Sequence, residues 1–328
     1  MKITLLFVAL FTGSLVFSQT DSEKLRDDLK KLDAMHDSLL PKKYWKYTSL
    51  FGLSASQTAF VNWAAGGRNN IAVLSFINFS ATYEKRRLKW TNDVALALGG
   101  MYYTDSTGKK QGLQKTDDRI DLASSFGYEF KKHWFLTALG GFKTQFLNGY
   151  SFPNDSVPIS RFMAPGYVNF SLGIEYAPVD YFSVYLSPIA SKMTFVRDQR
   201  LADAGAFGVK AAELDGNGVL IKHGLRFRNE IGAYFRIRFQ KEVFKNIEMK
   251  TRLELFSNYA HNPQNVDVNF ENIFTFKVNK WFQASLQWNL IYDDDIKIRD
   301  SKGRVGPRTQ FKSVLGLGIS YTLTNVKK

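Results

Sequence analysis

The chain has 328 residues, with no cysteine, 8 prolines and 24 glycines. Without cysteine it can form neither disulfides nor thiolate metal sites, and no lipid can be attached to an N-terminal cysteine. The low proline and glycine counts exclude a collagen-like chain, and a hydrophobic fraction of 45% excludes intrinsic disorder. The length suits one or two ordinary domains, or one large all-β body.

Acidic side chains are also scarce, because 30 aspartates and glutamates face 44 lysines and arginines, which gives a net charge of +14. A strongly basic chain is a candidate for nucleic-acid binding. However, 28 Phe, 15 Tyr and 6 Trp are too many aromatic rings for a soluble protein of that class. Such an excess of rings indicates an interface, and we expect no nucleic-acid partner.

Residues 1–18 have the pattern of an export signal. Lys2 precedes an apolar run over 3–17, and the small residue Ser18 ends the segment before Gln19. The apolar run is shorter than the stretch of about 20 residues that anchors a helix in a membrane. We therefore predict a cleaved signal peptide and an exported protein.

Residues 19–46 are predicted to form a periplasmic leader that contains one short amphipathic helix. Thr20 and Glu23 make a capping box, and leucines recur at helical spacing until Pro41. Two roles are open for this helix. It is either a leader that lies on the rest of the protein, or it docks a partner or plugs the lumen through residues 20–40.

From Tyr47 onward the hydrophobic period changes from 3.6 residues to 2, which indicates β-strands. In the clearest segment, 225–240, apolar residues such as Phe235 alternate with charged residues such as Arg236. Twelve such segments follow one another up to residue 323, and their connections alternate between tight turns and mostly long loops. An even number of strands with turns on one side and loops on the other is typical of outer-membrane barrels.

We therefore predict an all-β fold, a transmembrane up-and-down antiparallel β-barrel of about 12 strands, which occupies residues 47–328 and follows the periplasmic helix. Both termini are expected in the periplasm, and the barrel wall is expected to contact outer-membrane lipid. Aromatic residues at the predicted short-turn ends match an interfacial girdle. They are Tyr83, Trp90, Tyr128, Trp134, Tyr176, Phe239, Trp281 and Tyr321.

The first long loop follows the motif N-W-x-x-G-G-x-N-N, through Asn62, Trp63, Gly66, Gly67, Asn69 and Asn70. Together with the signal peptide, the leader and the late segment 290–295, this motif resembles a family of outer-membrane β-barrels of unknown function from Bacteroidota. The resemblance implies a barrel in the outer membrane of a Gram-negative bacterium, and it implies no activity. One departure is the end of the chain, which continues past Leu323 to Lys328 where many outer-membrane barrels finish on an aromatic residue.

Trp63 and its apolar neighbours are unsuited to a loop exposed to water, because contiguous exposed apolar surface is a liability. We therefore expect this loop to be buried, either folded into the barrel mouth as a constriction or packed on a partner.

Successive side chains of a strand point to opposite faces, and this alternation places both acidic and basic residues in the lumen. The basic residues gather on the eighth and ninth predicted strands as a basic wall of Arg226, Arg228, Arg236, Arg238, Lys250 and Arg252. Rings of arginine and lysine select anions in pores, so one hypothesis is a diffusion channel for small anionic solutes. The other is a closed network in which Glu230, Glu248 and Glu254 pair with these cations, since charges in a confined interior must be paired or solvated.

The last long loop contains Asp293, Asp294 and Asp295, which are a candidate site for Ca²⁺, a hard cation that binds carboxylate oxygens. The nearby cations Lys297 and Arg299 oppose that assignment, and the alternative is a solvated acidic strand end. No other metal or cofactor is predicted.

Catalysis is not favoured by the histidines. Outer-membrane phospholipases place a serine close after a histidine on the lipid face, and of the four histidines only His36, on the leader, has a serine two residues later. We predict a non-enzymatic barrel that serves as a subunit or scaffold of an outer-membrane assembly, with protein partners bound through residues 20–40 and the extracellular loops. The alternative is the anion channel, and an outer-membrane hydrolase is a third, less favoured hypothesis.

Overall fold

The structure is a computed structural model that describes residues 44–58, 70–103, 112–151, 154–299 and 304–325. In this part of the chain twelve long strands form one closed β-barrel. Each strand pairs antiparallel with its neighbours along the chain, and the first strand pairs with the last. The predicted fold, an up-and-down antiparallel barrel of twelve strands, is confirmed, whereas the signal peptide and the leader helix lie outside the described residues.

Twelve strands build the barrel wall, and four short strands and one short helix lie in the loops. The barrel strands are β1 (Trp45–Thr58), β2 (Asn70–Lys85), β3 (Leu88–Tyr103), β4 (Gln114–Lys131), β5 (Trp134–Thr144), β6 (Gly166–Val179), β7 (Phe182–Phe195), β10 (Phe227–Phe244), β11 (Ile247–Asn258), β12 (Asp267–Lys277), β13 (Phe282–Tyr292) and β16 (Gln310–Thr324). The loop elements are α1 (Gln199–Asp203), β8 (Glu213–Leu214), β9 (Leu220–Lys222), β14 (Lys297–Arg299) and β15 (Val305–Pro307). None of the helices described here is long and apolar enough to cross a membrane.

The two ends of the barrel differ in their connections. At one end, here called the short-turn end, two residues join β2 to β3, β4 to β5, β6 to β7 and β10 to β11. His133 and Asn246 adopt positive φ there, at 67° and 65°, as tight hairpin turns require. The opposite end, here called the loop end, carries the longer connections.

The outward face of the barrel is apolar and the inward face is polar. Ile231 on β10 is 53% exposed and Leu186 on β7 is 56% exposed, and both point away from the lumen. The buried side chains include Asp121, Glu230 and Glu271. This distribution is the reverse of that in a soluble protein, and it is typical of barrels that face lipid and enclose a polar interior.

Aromatic rings form a girdle on the outer surface at the short-turn end. The ring of Trp45 lies 5.2 Å from that of Tyr83 and 5.8 Å from that of Trp90. Further round the barrel, Trp281 stacks on Tyr321 at 5.5 Å between centroids. Amphipathic rings are stable at the boundary between headgroups and acyl chains, so this girdle marks one membrane interface.

The loop between β7 and β10 folds against the loop between β5 and β6. Asp198 caps α1 by accepting hydrogen bonds from the backbone N–H groups of Arg200 and Leu201. Leu201 then packs in a small apolar cluster with Ala164, Val196, Ala202 and Val209. This cluster fixes the fold of residues 196–226, which the sequence pattern had not predicted.

Candidate functional site

The centre of the lumen is crossed by ion pairs that join opposite walls. Glu271 on β12 is only 5% exposed, and its carboxylate lies 3.0 Å from Arg119 Nη1 on β4. In the ring of twelve strands β4 and β12 are six strands apart, so this contact spans the full width of the barrel. Arg252 on β11 lies 3.2 Å from the other Glu271 oxygen and 3.4 Å from Asp121 on β4.

A second carboxylate extends this arrangement. Glu254 on β11 lies 3.4 Å from Lys143 Nζ on β5, and it accepts hydrogen bonds from the Tyr234 hydroxyl at 2.9 Å and Asn269 Nδ2 at 2.7 Å. We call Arg119, Asp121, Lys143, Arg252, Glu254 and Glu271 the central network. Because its members bridge facing strands, the central network crosses the lumen from β4 and β5 to β11 and β12.

A second group of charges, the loop-end cluster, lies nearer the loop end. It is centred on Lys192 of β7, whose Nζ lies 2.6 Å from Asp267 and 2.8 Å from Asp293. Next to it, Arg228 pairs with Glu230 at 3.0 Å and with Asp295. The loop-end cluster therefore adds a second layer of ion pairs above the central network, in which two cations contact four carboxylates.

The loop between β7 and β10 covers this layer. Arg228 Nη1 donates a hydrogen bond of 2.9 Å to the carbonyl of Gly208, so the loop reaches the mouth of the lumen. Gly208 has φ of +80°, and a Cβ atom there would lie 2.6 Å from Arg228 Nη1. Glycine at this position thus permits both the backbone conformation and the close approach.

The same loop holds a half-buried carboxylate, that of Asp203, whose pKa departs from its ordinary value. Asp203 accepts a hydrogen bond of 2.7 Å from Gln199 Nε2, contacts His223 Nδ1 at 3.0 Å and accepts from the backbone N–H of Gly224. The hydrogen bond from Gln199, followed by that from His223, lowers the pKa of Asp203.

Two lumen arginines of β10 nearer the short-turn end are paired more loosely. Arg238 Nη2 lies 3.7 Å from Asp93, and Arg236 Nη2 lies 3.5 Å from Glu175. On the short-turn side of the central network a cavity of about 160 Å³ opens between the seven strands from β2 to β7 and β10. Arg238 and Lys89 line it, together with several serine and threonine hydroxyls.

The predicted basic wall is divided among different partners. Arg228, Arg236, Arg238 and Arg252 pair with carboxylates on β3, β4, β6, β10 and β12 and in the last loop. Arg226 precedes β10 and is exposed, and neither it nor Lys250 has a carboxylate within 4.0 Å among the residues that the structure describes. The six cations therefore do not form one continuous unpaired surface.

Each of the three predicted acidic residues pairs with a cation, but only Glu230 pairs with a member of the predicted basic wall. Glu230 pairs with Arg228, whereas Glu248 pairs with Lys277 of β12 at 2.9 Å and Glu254 with Lys143 of β5. The alternation of residues along a strand shows which side chains face the lumen, but it does not show which other strand supplies the partner.

Lys192 is the main lumen charge that the sequence reasoning missed. The pairing of β7 shifts register with both β6 and β10 near Pro188, which marks a β-bulge. On one side of the bulge Tyr185 and Ser187 are buried, and on the other side Ala190, Lys192 and Thr194 face inward. A proline inside a strand is the signal that could have shown this change of parity.

The last loop does not bring its three consecutive aspartates together. The carboxylates that do approach one another, within 4.8 Å, belong to Asp267, Asp293 and Asp294, while Asp295 pairs with Arg228. The Lys192 ammonium lies against Asp267 and Asp293, so a positive charge is already supplied there.

The loop motif cannot be placed, because Asn62, Trp63, Gly66, Gly67 and Asn69 lie outside the described residues. Asn70 is the first residue of β2 and lies opposite Tyr103 of β3.

Comparison with known proteins gives a partial family match and several distant barrels. A family model described as a protein of unknown function (DUF3078) matches residues 55–150. No curated protein matches the sequence. The chain is similar to the COG4313 outer membrane channel from Pseudomonas putida F1, at 13% identity and TM-score 0.37, over 87% of this chain and 97% of that one.

Two further barrels are similar at the same level. The translocator domain of the autotransporter NalP from Neisseria meningitidis has 11% identity and TM-score 0.34, over 92% of this chain and 97% of that one. The NanC porin has 7% identity and TM-score 0.34, over 84% of this chain and 100% of that one.

Proposed function

We propose that this protein is a non-enzymatic barrel of the Gram-negative outer membrane that serves as a subunit or scaffold of a larger assembly and does not conduct solutes. The apolar outer face and the aromatic girdle support the membrane location. β1 begins and β16 ends at the short-turn end, and short turns face the periplasm in such barrels, which supports periplasmic termini.

The observation that carries the non-conducting role is the contact between Arg119 and Glu271 across the whole lumen. A pore that selects anions needs cations that face water in an open cross-section. Here the cations of the central network are bound to carboxylates, and each of those contacts places side chains in the path of a solute. Diffusion would require several ion pairs to separate at once.

Conductance of the purified barrel in planar bilayers tests this proposal. The wild-type protein should show no channel events, and replacing Arg119 and Arg252 with alanine should create them by opening the cross-section. Steady anion-selective conductance in the wild type would refute the closed lumen and favour the diffusion channel.

The scaffold role is tested separately, by crosslinking in native membranes followed by affinity purification. Deleting residues 20–40 should remove the crosslinked partners while leaving the barrel folded. The same set of partners with and without the deletion would contradict docking through this segment.

A further inference from the structure

The lumen contains a cavity at the short-turn end. Its volume of about 160 Å³ is smaller than the range of about 300–1,000 Å³ typical of drug-sized ligands. Asp180 and Tyr181, in the turn between β6 and β7, belong to its wall. The cavity therefore opens toward the short-turn end and suits a small ligand that enters from there.

Arg238 brings unused hydrogen-bond donors to this cavity. Within the described part of the chain its only carboxylate contact is Asp93 at 3.7 Å, and it donates no hydrogen bond. Its side chain is 35% exposed, so the guanidinium is accessible to a ligand. By contrast, Arg119 and Arg228 each donate hydrogen bonds to carboxylates.

The rest of the wall supplies a second cation and free hydroxyls. Lys89 of β3 lines the cavity, and its contact with Glu84 is 3.6 Å long. Ser125 of β4 and Ser183 of β7 line it as well, and neither hydroxyl has a hydrogen-bond partner among the described residues. Two carboxylates also line the cavity, those of Glu175 and the exposed Asp180 at the turn. Arg236 lies 3.5 Å from Glu175 and compensates its charge.

We propose that this cavity binds a small oxyanion, with a carboxylate or phosphate group held by Arg238. A planar guanidinium binds such a group through two parallel hydrogen bonds, which a point charge such as lysine does not reproduce. Lys89 adds a second positive charge, and Ser125 and Ser183 donate to the remaining oxygens. The site goes beyond the proposed function, because a scaffold needs no ligand, and it requires no passage through the central network.

Titration calorimetry on the full-length barrel in detergent tests the site, with inorganic phosphate and succinate as separate probes at constant ionic strength. The wild type should bind one equivalent of at least one probe, and the probe that binds distinguishes phosphate from carboxylate. Arg238→Gln should weaken that binding on the order of tenfold or more, because the bidentate contact is lost.

Arg226→Gln is the matched control, since it removes the same charge at an exposed position outside the cavity, and it should bind like the wild type. If neither probe binds the wild type in a saturable way, or if Arg238→Gln binds as tightly as the wild type, the proposal is wrong.

Ser125→Leu covers the case in which Arg238→Gln does not fold. It fills the cavity from β4 and leaves every charge in place, so binding should be lost while the melting temperature stays close to that of the wild type. Unchanged binding in this variant would also overturn the proposal. Bilayer conductance is measured independently. A conducting wild type would refute the closed lumen, whereas the oxyanion site is refuted only by the binding measurements.

Discussion

Replacing Glu271 with glutamine removes one charge from the middle of the central network and keeps the side-chain shape. Glu271 accepts from Arg119 at 3.0 Å and from Gln287 Nε2 at 3.1 Å, and it pairs with Arg252 at 3.2 Å. The variant leaves two guanidinium groups without their shared counter-charge. Arg252 keeps Asp121 at 3.4 Å, whereas Arg119 has no second carboxylate within 4.0 Å among the described residues.

The magnitude follows from the burial of the three partners. Removing one member of a buried ion pair costs about 3–5 kcal/mol, mostly because the other charge stays buried and unpaired. The side chains of Arg119 and Arg252 are 29% and 22% exposed, so lumen water can reach them in part. We therefore expect Glu271→Gln to lower the free energy of unfolding by about 3 kcal/mol, at the lower end of that range.

Urea unfolding of the barrel in lipid vesicles, followed by tryptophan fluorescence, measures this change. Glu213→Gln is the control, because Glu213 forms an exposed pair with Lys210 at 2.6 Å in the loop between β7 and β10 and its loss should not be measurable. Equal unfolding midpoints for Glu271→Gln and the wild type, at an unchanged slope, would refute the view that the central network stabilises the barrel.

Three further predictions concern the wall and the loop end. Phe235→Arg should lower the free energy of unfolding by about 2–4 kcal/mol, because Phe235 lies opposite Leu186 and Leu255 on the lipid face. A thiol introduced at 235 should resist aqueous reagents that label one at 238, which faces the lumen cavity, and equal labelling would contradict the register. Gly208→Val should release the loop from Arg228 and speed proteolysis between residues 197 and 224, whereas Gly216→Val, where a Cβ meets nothing within 4 Å, should not. The lowered pKa of Asp203 means that its stabilisation of the loop is complete above the ordinary aspartate pKa and is lost as the pH falls through the folded value. The protection of residues 199–224 against hydrogen exchange, relative to the intrinsic rate at each pH, should therefore fall only in acid, and Asp203→Asn should abolish that dependence.

The wall of the barrel was predictable from the sequence because its physics is local. Apolar and polar residues alternate wherever one face meets lipid and the other meets water, so the segment around Phe235 and Arg236 reveals both the strand and its orientation. The turns were predictable for the same reason. The predicted segment 225–240 and the observed β10, Phe227–Phe244, agree within a few residues at each end.

The partners inside the lumen were not predictable, because they depend on closure of the ring. Nothing near Arg119 in the sequence indicates that Glu271, on the opposite wall, lies within reach of its guanidinium. The alternation of inward and outward residues also shifts at a β-bulge, so the sequence pattern did not predict that Lys192, beyond Pro188, faces the lumen. The loop that covers Arg228 depends on packing between two separate loops, which leaves no periodic signal.

The charged lumen also explains why this barrel keeps one register. Buried ion pairs are weak evidence for stability by themselves, because a well-packed apolar interior of the same shape is often as stable. An apolar lumen, however, would make the two faces of every strand alike, and a slip of one residue exchanges those faces completely. A slip of β10 would move Arg236 into lipid, at about 2–4 kcal/mol for an arginine near the midplane, and a slip of β11 would move Glu254 there at a smaller cost. Each strand that carries an inward charge adds to this penalty, so the charges that close the lumen also select the correct pairing.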